Sequence, residues 1–465
     1  MATPTAELFF YAFLLFLSYF ALVAVYYLVL AAIGFFEERQ KAFEEETEGY
    51  ETITTSSFTS PVSIIIPAHN EEKMILNCVE SVINLKYPKF EIIIVDDGSD
   101  DKTLDLLKEK LSLTSSDRTF SDRFHTGRIR EFFKSEKYPH VNVLSKSGRF
   151  KKAGAINIGI TFAKYRYVCT MDADTILEPD ALLKVMVQIE KNPEKIIGAG
   201  SYFGLSNGFK IEEGKIIERS FSYRPIIAYQ NLEYIRSFIG NRMAWSRWNA
   251  LPIISGGFGI WRRDIIIENG GYAPEFSSED MEFSFRVRDF IVKNKEKKYQ
   301  IIMLPYYVGW TNGPTNVKAL LLQRSRWQRT ANESIFLYKH MLFNPQHGIF
   351  GFLTFPYFFF YESLGVFFET ASIIFVIIGW LSNLLNIKTF LVIIIAMILT
   401  QALISLVTLL SYIRDQRSMK PLYIVYLAFL SFFEFFWYRI IISIARLQGT
   451  LGYFRRIKTH DQFVR

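Results

Sequence analysis

From Leu8 to Phe36 the chain carries no charged residue. As an α-helix rising 1.5 Å per residue, that run reaches roughly 43 Å, more than the ~30 Å hydrocarbon core of a bilayer. A secretory signal needs a basic leader and a shorter apolar stretch. Met1–Glu7 holds no Lys or Arg, and the run is too long. The expectation is therefore a retained transmembrane helix over residues 1–40. Arg39 and Lys41 follow it and favour a cytoplasmic exit. Residues 41–60 are acidic at first and then rich in Thr and Ser, and read as a linker.

A second apolar tract begins near residue 346. Residues 346–362, aromatic-rich and containing Pro356, are short for a span and read as an interfacial helix. Residues 363–450 read as C-terminal membrane helices. Leu364–Leu385 and Thr389–Ile413 are long enough to cross, and Arg414, Arg417 and Lys420 fit a cytoplasmic loop after them. Pro421–Ala445 is interrupted by Glu434 and Arg439, whose i,i+5 spacing suits no pairing on one helix. A charge at mid-bilayer costs about 2.5–3.5 kcal/mol on insertion scales, so both are expected to face protein or an aqueous groove. The basic tail, residues 451–465 with Arg455 and Arg456, lies on whichever side that segment dictates.

Half of the 465 residues are hydrophobic, yet 21% are charged, which suits a soluble domain joined to membrane segments. The formal charge is +7. No long Lys/Arg block accompanies it, which argues against nucleic acid as a partner. Cys78 and Cys169 fall in apolar segments and read as buried free thiols.

Residues 61–345 read as the soluble domain. Val62–Ile66, ended by Pro67, Glu91–Val95 and Tyr167–Met171 are short apolar runs. Between them lie helical patterns at Glu71–Ile83, Lys102–Leu111 and Lys152–Ala163. Strands alternating with helices imply βαβ units and a mostly parallel sheet. Ligands of such sheets bind beyond the carboxyl ends of the strands. Ser112–His140 has mixed charge and no clear period, and reads as a surface insertion.

Acidic motifs follow those strands. If the third strand continues through Asp172-Ala173-Asp174, its two carboxylates share one face and can hold a hard divalent cation beside a diphosphate. Asp96-Asp97-Gly98-Ser99 can be a ligand site or an Asx-capped turn. Lys152 opens a helix whose N-terminus favours anions. Ser255-Gly256-Gly257-Phe258-Gly259 marks either a close approach to a ligand or a bulge. Glu279-Asp280 starts a helix, either as favourably placed acids or as a catalytic pair. Gln323-Arg324-Ser325-Arg326-Trp327 reads Q-x-x-R-W, with an amphipathic interfacial helix as the competing reading.

This ordered set, acids closing on Q-x-x-R-W with apolar tracts on both sides, resembles the membrane-embedded family 2 glycosyltransferases, such as cellulose, hyaluronan, chitin and poly-N-acetylglucosamine synthases. The resemblance covers about Pro61 to Trp327. It implies a GT-A-type, Rossmann-like mixed α/β sheet domain joined to transmembrane helices. It further implies an inverting, metal-dependent transfer from a UDP-sugar at the cytoplasmic face of the plasma membrane. Asp172 and Asp174 would take Mg2+ or Mn2+, with Asp172 also at the ribose. Pro67, His69, Asn70, Glu71, Asp96, Asp97, Lys152, Gln323 and Arg326 would hold the donor. Asp280, beside Glu279, would be the general base. Gly256, Gly257 and Trp327 would meet the acceptor. A growing polysaccharide is the expected acceptor, on about three or four spans. Transfer of one sugar to a polyprenyl-phosphate or other lipid is the alternative, and a non-catalytic transporter or scaffold the remote one.

Overall fold

The computed structural model describes residues 4–46, 59–117, 123–124, 129–146, 151–276, 278–412 and 419–455. Most of the expected linker, the loop residues Arg414 and Arg417, and the tail from Arg456 lie outside the described residues. The chain divides into two compact units. One comprises Lys41–Phe221 and Ser246–Gly313, the other Met1–Gln40, Ser222–Trp245 and Pro314–Arg465.

The first unit is built on a ten-stranded sheet. Its strands are β1 (Val62–Ala68), β2 (Phe90–Asp96), β3 (Leu113–Ser115), β4 (Ile129–Ser135), β5 (Val141–Lys146), β6 (Tyr167–Met171), β7 (Ile176–Leu177), β8 (Ile196–Leu205), β11 (Phe258–Arg262) and β12 (Gln300–Thr311). β9 (Lys210–Glu212) and β10 (Lys215–Glu218) form a separate hairpin. The order is β3-β4-β5-β2-β1-β6-β11-β8-β12-β7. β5, β2, β1 and β6 run parallel, and their Ile- and Val-rich sequences suit a pleated, doubly covered surface. Every residue of β1 is buried. The helix Lys151–Phe162 lies close against it because Gly159 has no side chain: a Cβ there would stand 2.4 Å from Ile65.

Three expectations need correction. β1 does not stop before Pro67 but pairs on to Ala68↔Asp96, since proline's fixed φ is compatible with extended backbone. The sheet is mixed, as the family resemblance implies, and not mostly parallel as the strand–helix alternation alone suggests: β11 runs antiparallel to both neighbours, β6 and β8, and β4 antiparallel to β5. The stretch 112–140 is not a featureless insertion, because β3 and β4 extend the sheet edge. Its strand character was hidden because adjacent Phe132 and Phe133 are both buried, which breaks the alternation expected of a half-buried strand.

The second unit is helical. Glu7–Lys41 and Ile387–Tyr412 are long and apolar enough to cross a membrane. A third span exists if Phe350–Ser363 and Gly365–Leu381, bent by 45°, act as one. Among the described residues that makes two spans, or three with the bent pair, against the three or four expected. Gly365–Leu381 alone has 17 residues, short of the ~20 a span needs. The segment from Pro421 is not one helix. It breaks into Pro421–Ser431, a turn at Glu434–Phe436 and Tyr438–Phe454.

The two interrupting charges each find a partner elsewhere in the sequence. Glu434 accepts from both terminal nitrogens of Arg236, at 2.5 and 2.8 Å. Arg439 pairs with Glu369 at 3.0 Å, and Arg446 reaches the same carboxylate at 3.0 Å. The helix Tyr438–Phe454 packs on Val317–Leu337, which carries Q-x-x-R-W. Gly449 permits this contact, since a Cβ there would come 2.4 Å from the Ser325 carbonyl oxygen. Small residues serve this purpose wherever helix backbones approach closely.

Candidate active site

Register brings the acidic motifs of the first unit together. β1 and β2 end side by side at Ala68↔Asp96. β11 starts beside the end of β6, Phe258 opposite Met171, so residues just before Phe258 lie next to residues just after Met171. Gly256, Gly257 and Asp172 therefore meet at one end of the sheet.

Asp172-Ala173-Asp174 is a turn, not a continuation of β6. The Thr175 N–H donates to the Asp172 carbonyl at 3.1 Å, so the two carboxylates do not share a strand face. Asp174 is buried and accepts from the Thr311 hydroxyl at 3.2 Å. Asp172 points outward, and one of its oxygens lies 2.6 Å from Lys152 Nζ. Lys152, on the first turn of Lys151–Phe162, also reaches Glu279 Oε1 at 2.8 Å.

Glu279 and Asp280 open the helix Glu279–Lys293. Asp280 is not a simple cap. Its Oδ2 accepts from the Gly256 N–H at 2.8 Å and its Oδ1 from the Met281 N–H at 2.9 Å. A side chain here would crowd the cluster: a Cβ on Gly256 would stand 2.7 Å from Lys152 Nζ, a flexible end that can shift, and 3.3 Å from Asp280 Oδ2. A Cβ on Gly257 would lie 3.8 Å from Asp172 Oδ2. Lys152, Asp172, Gly256, Gly257, Glu279 and Asp280 thus form one cluster.

Burial, followed by repulsion from Glu279, holds the Asp280 carboxyl above its ordinary range. Lys152 and the Gly256 N–H pull the other way, and Asp172 adds to the rise. A base with a raised pKa is lost as pH falls through that value. If Asp280 serves as a catalytic base, turnover declines on an acid limb above ~4, the free aspartate value. A kcat/KM profile flat down to that pH would contradict the arrangement. For stability the sign is opposite: between the free and raised values the folded state holds the extra proton, so this group's contribution falls as pH rises.

A second cluster lies at the ends of β1 and β2. Asn70, at φ +56°, accepts from the Asp100 N–H at 2.8 Å, and its own N–H donates to Ser99 Oγ at 3.0 Å. The Glu71 N–H donates to Thr103 Oγ1 at 2.8 Å. His69 is exposed and Pro67 is buried. Asp96 accepts from the Ser99 N–H at 3.2 Å, the Asx turn left open as an alternative. Asp97 is met at 2.8 Å by the fully buried ammonium of Lys146.

Lys146 was not singled out from the sequence. Its signal was a lysine ending an apolar strand whose register, Asp96↔Ser145, sets it beside Asp97. Asn157 was likewise passed over. Its side chain accepts from the Tyr272 N–H at 2.7 Å and donates to the Tyr272 carbonyl at 2.8 Å, pinning the chain ahead of Glu279.

Gln323, Arg326 and Trp327 belong to the other unit, on the helix Val317–Leu337. Gln323 Oε1 is buried with no hydrogen-bond partner among the described residues. Trp327 is 38% exposed. Its ring is covered at 4.2 Å by the guanidinium of Arg324, which pairs with Glu233 at 2.8 Å.

Two family models match the chain. Glycosyl transferase family 2 covers residues 63–269, and glycosyl transferase family group 2 covers residues 167–437. The chain belongs to the family 2 glycosyltransferases. The matches run over both the acid cluster and Q-x-x-R-W. This glycosyltransferase is 26% identical over 328 residues to the poly-beta-1,6-N-acetyl-D-glucosamine synthase of Staphylococcus epidermidis, 68% of this chain and 65% of that protein. It is 30% identical over 274 residues to the probable glycosyltransferase YdaM of Bacillus subtilis, covering 58% and 54% of the two. The chain thus spans less than two thirds of the length of the curated relatives it matches. Among solved structures, the mannosyltransferase PcManGT from Pyrobaculum calidifontis, in complex with GDP-Man and Mn2+, aligns over 94% of this chain and 99% of its own. Its identity is 14% and its TM-score 0.49.

The oxygen-only side chains of Asp172 and Asp174 suit a hard divalent cation. Neither belongs to a group of three closely spaced ligating side chains among the described residues. Such a site would leave coordination positions for phosphate and water.

Proposed function

We propose that this glycosyltransferase is inverting and metal-dependent, and that it adds sugars from a UDP-sugar to a growing polysaccharide at the cytoplasmic face of the plasma membrane, as a multi-pass protein. The observation that supports the reading most is the bridge through Lys152. A single ammonium joins the D-x-D aspartate to the E-D pair, at 2.6 and 2.8 Å. Donor-side and acceptor-side carboxylates are thereby gathered around one ammonium, beside Gly256.

In this reading the Asp280 carboxylate takes the proton of the acceptor hydroxyl. That oxygen bonds to the anomeric carbon while the carbon–oxygen bond to UDP breaks on the opposite face, and UDP leaves with the electron pair. Gly256 N–H holds Asp280 in place, and Gly256 and Gly257 lie beside the acceptor's terminal sugar. Pro67, His69, Asn70, Glu71, Asp96 and Asp97 hold the nucleoside. Gln323 and Arg326 bind the diphosphate, and Trp327 gives a sugar ring an apolar face. Mg2+ or Mn2+, bound by Asp172 and Asp174, would neutralise charge developing on the leaving diphosphate.

Product size tests the reading. Membranes carrying the full chain, given labelled UDP-sugars with Mg2+ or Mn2+, should yield a long labelled polymer that an Asp280→Asn control does not make. A small, organic-extractable product would replace the polysaccharide acceptor with a lipid carrier.

A further inference from the structure

Lys152 does more in this structure than a donor-binding lysine requires. Its ammonium is 2.6 Å from Asp172 and 2.8 Å from Glu279. It rests against the bare face of Gly256, where even a methyl group would stand 2.7 Å away. It therefore occupies a seat formed by two carboxylates and a glycine. Yet its side chain is 33% exposed and that of Asp172 38%, so neither side chain is sealed in the core.

We propose that Lys152 is the resting counter-ion of the site, and that its ammonium competes with a divalent cation for the Asp172 carboxylate. This rests on the metal reading above. The ammonium sits on Oδ1 of Asp172, and a cation on the other oxygen of the same carboxylate is still repelled by it. The group that draws the ammonium away is an anionic diphosphate, for which a lysine on the first turn of a helix is a suitable partner. Cation and nucleoside diphosphate consequently enter together. An empty site keeps its acids neutralised by its own lysine rather than by a metal ion lacking a donor. Lys152 acts here as a positioning residue, through Asp172, and as a diphosphate ligand once it has moved.

The test is Mn2+ binding to the full-length, detergent-solubilised protein without nucleotide, read from the loss of the free Mn2+ resonance. Lys152→Met should bind Mn2+ at least ~10-fold more tightly than wild type, a difference equivalent to one ion pair of about 1.4 kcal/mol. Lys152→Arg, which keeps the charge, should stay near the wild-type value. Adding Asp172→Asn to Lys152→Met should remove the gain. In EDTA, Lys152→Met should weaken UDP binding while leaving uridine binding unchanged. Unfolding midpoints confirm that the variants are folded, and a misfolded Met variant leaves Lys152→Gln to carry the comparison. Equal Mn2+ affinity in wild type and the uncharged variants, with Asp174→Asn abolishing binding in all, would keep the metal site and overturn the role of Lys152. Absence of Mn2+ binding from every variant, with or without UDP, would overturn the metal reading itself and this inference with it.

Discussion

Asp280→Asn is expected to remain folded and to lose roughly 10²–10⁴-fold in transfer rate, the usual contribution of a positioned general base. The folding half of this expectation comes from the hydrogen bonds. Asp280 accepts two backbone N–H groups, one on each oxygen. An asparagine keeps one acceptor and turns an NH2 towards the other donor, which costs about 1–3 kcal/mol. Part of that is returned because a neutral amide no longer repels Glu279, the charge that helps hold the Asp280 carboxyl up. Loss of rate then follows from chemistry: the amide cannot take a proton. Glu279→Gln is the matched comparison. Glu279 is buried and tied to Lys152, so its loss should act on the cluster's charge balance and cost less. Wild-type turnover by Asp280→Asn would falsify the assignment. A drop in unfolding midpoint large enough to explain the lost rate would also remove its support.

The second large effect is expected far from that cluster in sequence. Glu434 and Arg236 form a two-pronged ion pair with side chains 5% and 13% exposed. Glu434→Gln removes the charge that compensates Arg236 among apolar helices. Breaking such a pair from one side costs about 3–5 kcal/mol. Arg236→Met should cost a similar amount for the opposite reason, leaving the carboxylate uncompensated. The double variant, Arg236→Met with Glu434→Met, should recover most of the loss, because replacing both partners by apolar groups is often neutral. Thermal unfolding of the solubilised protein, run as a double-mutant cycle, gives the comparison. Two additive single-variant losses would mean that the pair contributes nothing as a pair.

The i,i+5 spacing of Glu434 and Arg439 left their partners undetermined along the chain. They proved to be Arg236 and Glu369, 198 and 70 residues away in sequence respectively. Periodicity reports which face of a helix a residue occupies, but not which other segment will lie against that face. The same limit explains β3 and β4, whose adjacent buried phenylalanines gave no alternation, and β11, whose antiparallel direction is set by the path of the connecting chain. Lys146 was missed because a lysine is expected at the surface. Only the register Asp96↔Ser145 reveals that it ends up opposite Asp97.

By itself the sequence determined the alternation of strands and helices around the acidic motifs, the order of those motifs and the family. Alternation of apolar strands with helices, the uncharged run Leu8–Phe36, and D-D, D-x-D, E-D and Q-x-x-R-W in that order are all local facts, encoded in neighbouring residues. Only the tertiary structure decided that Asp172 leaves the strand in a turn, that Gly256 is the glycine against which Asp280 and Lys152 rest, and that Lys152 neutralises Asp172 and Glu279 together. These depend on strand register and on the convergence of the segments 152–174 and 256–280. Such contacts arise from packing the whole sheet, and no local pattern of residue types records them.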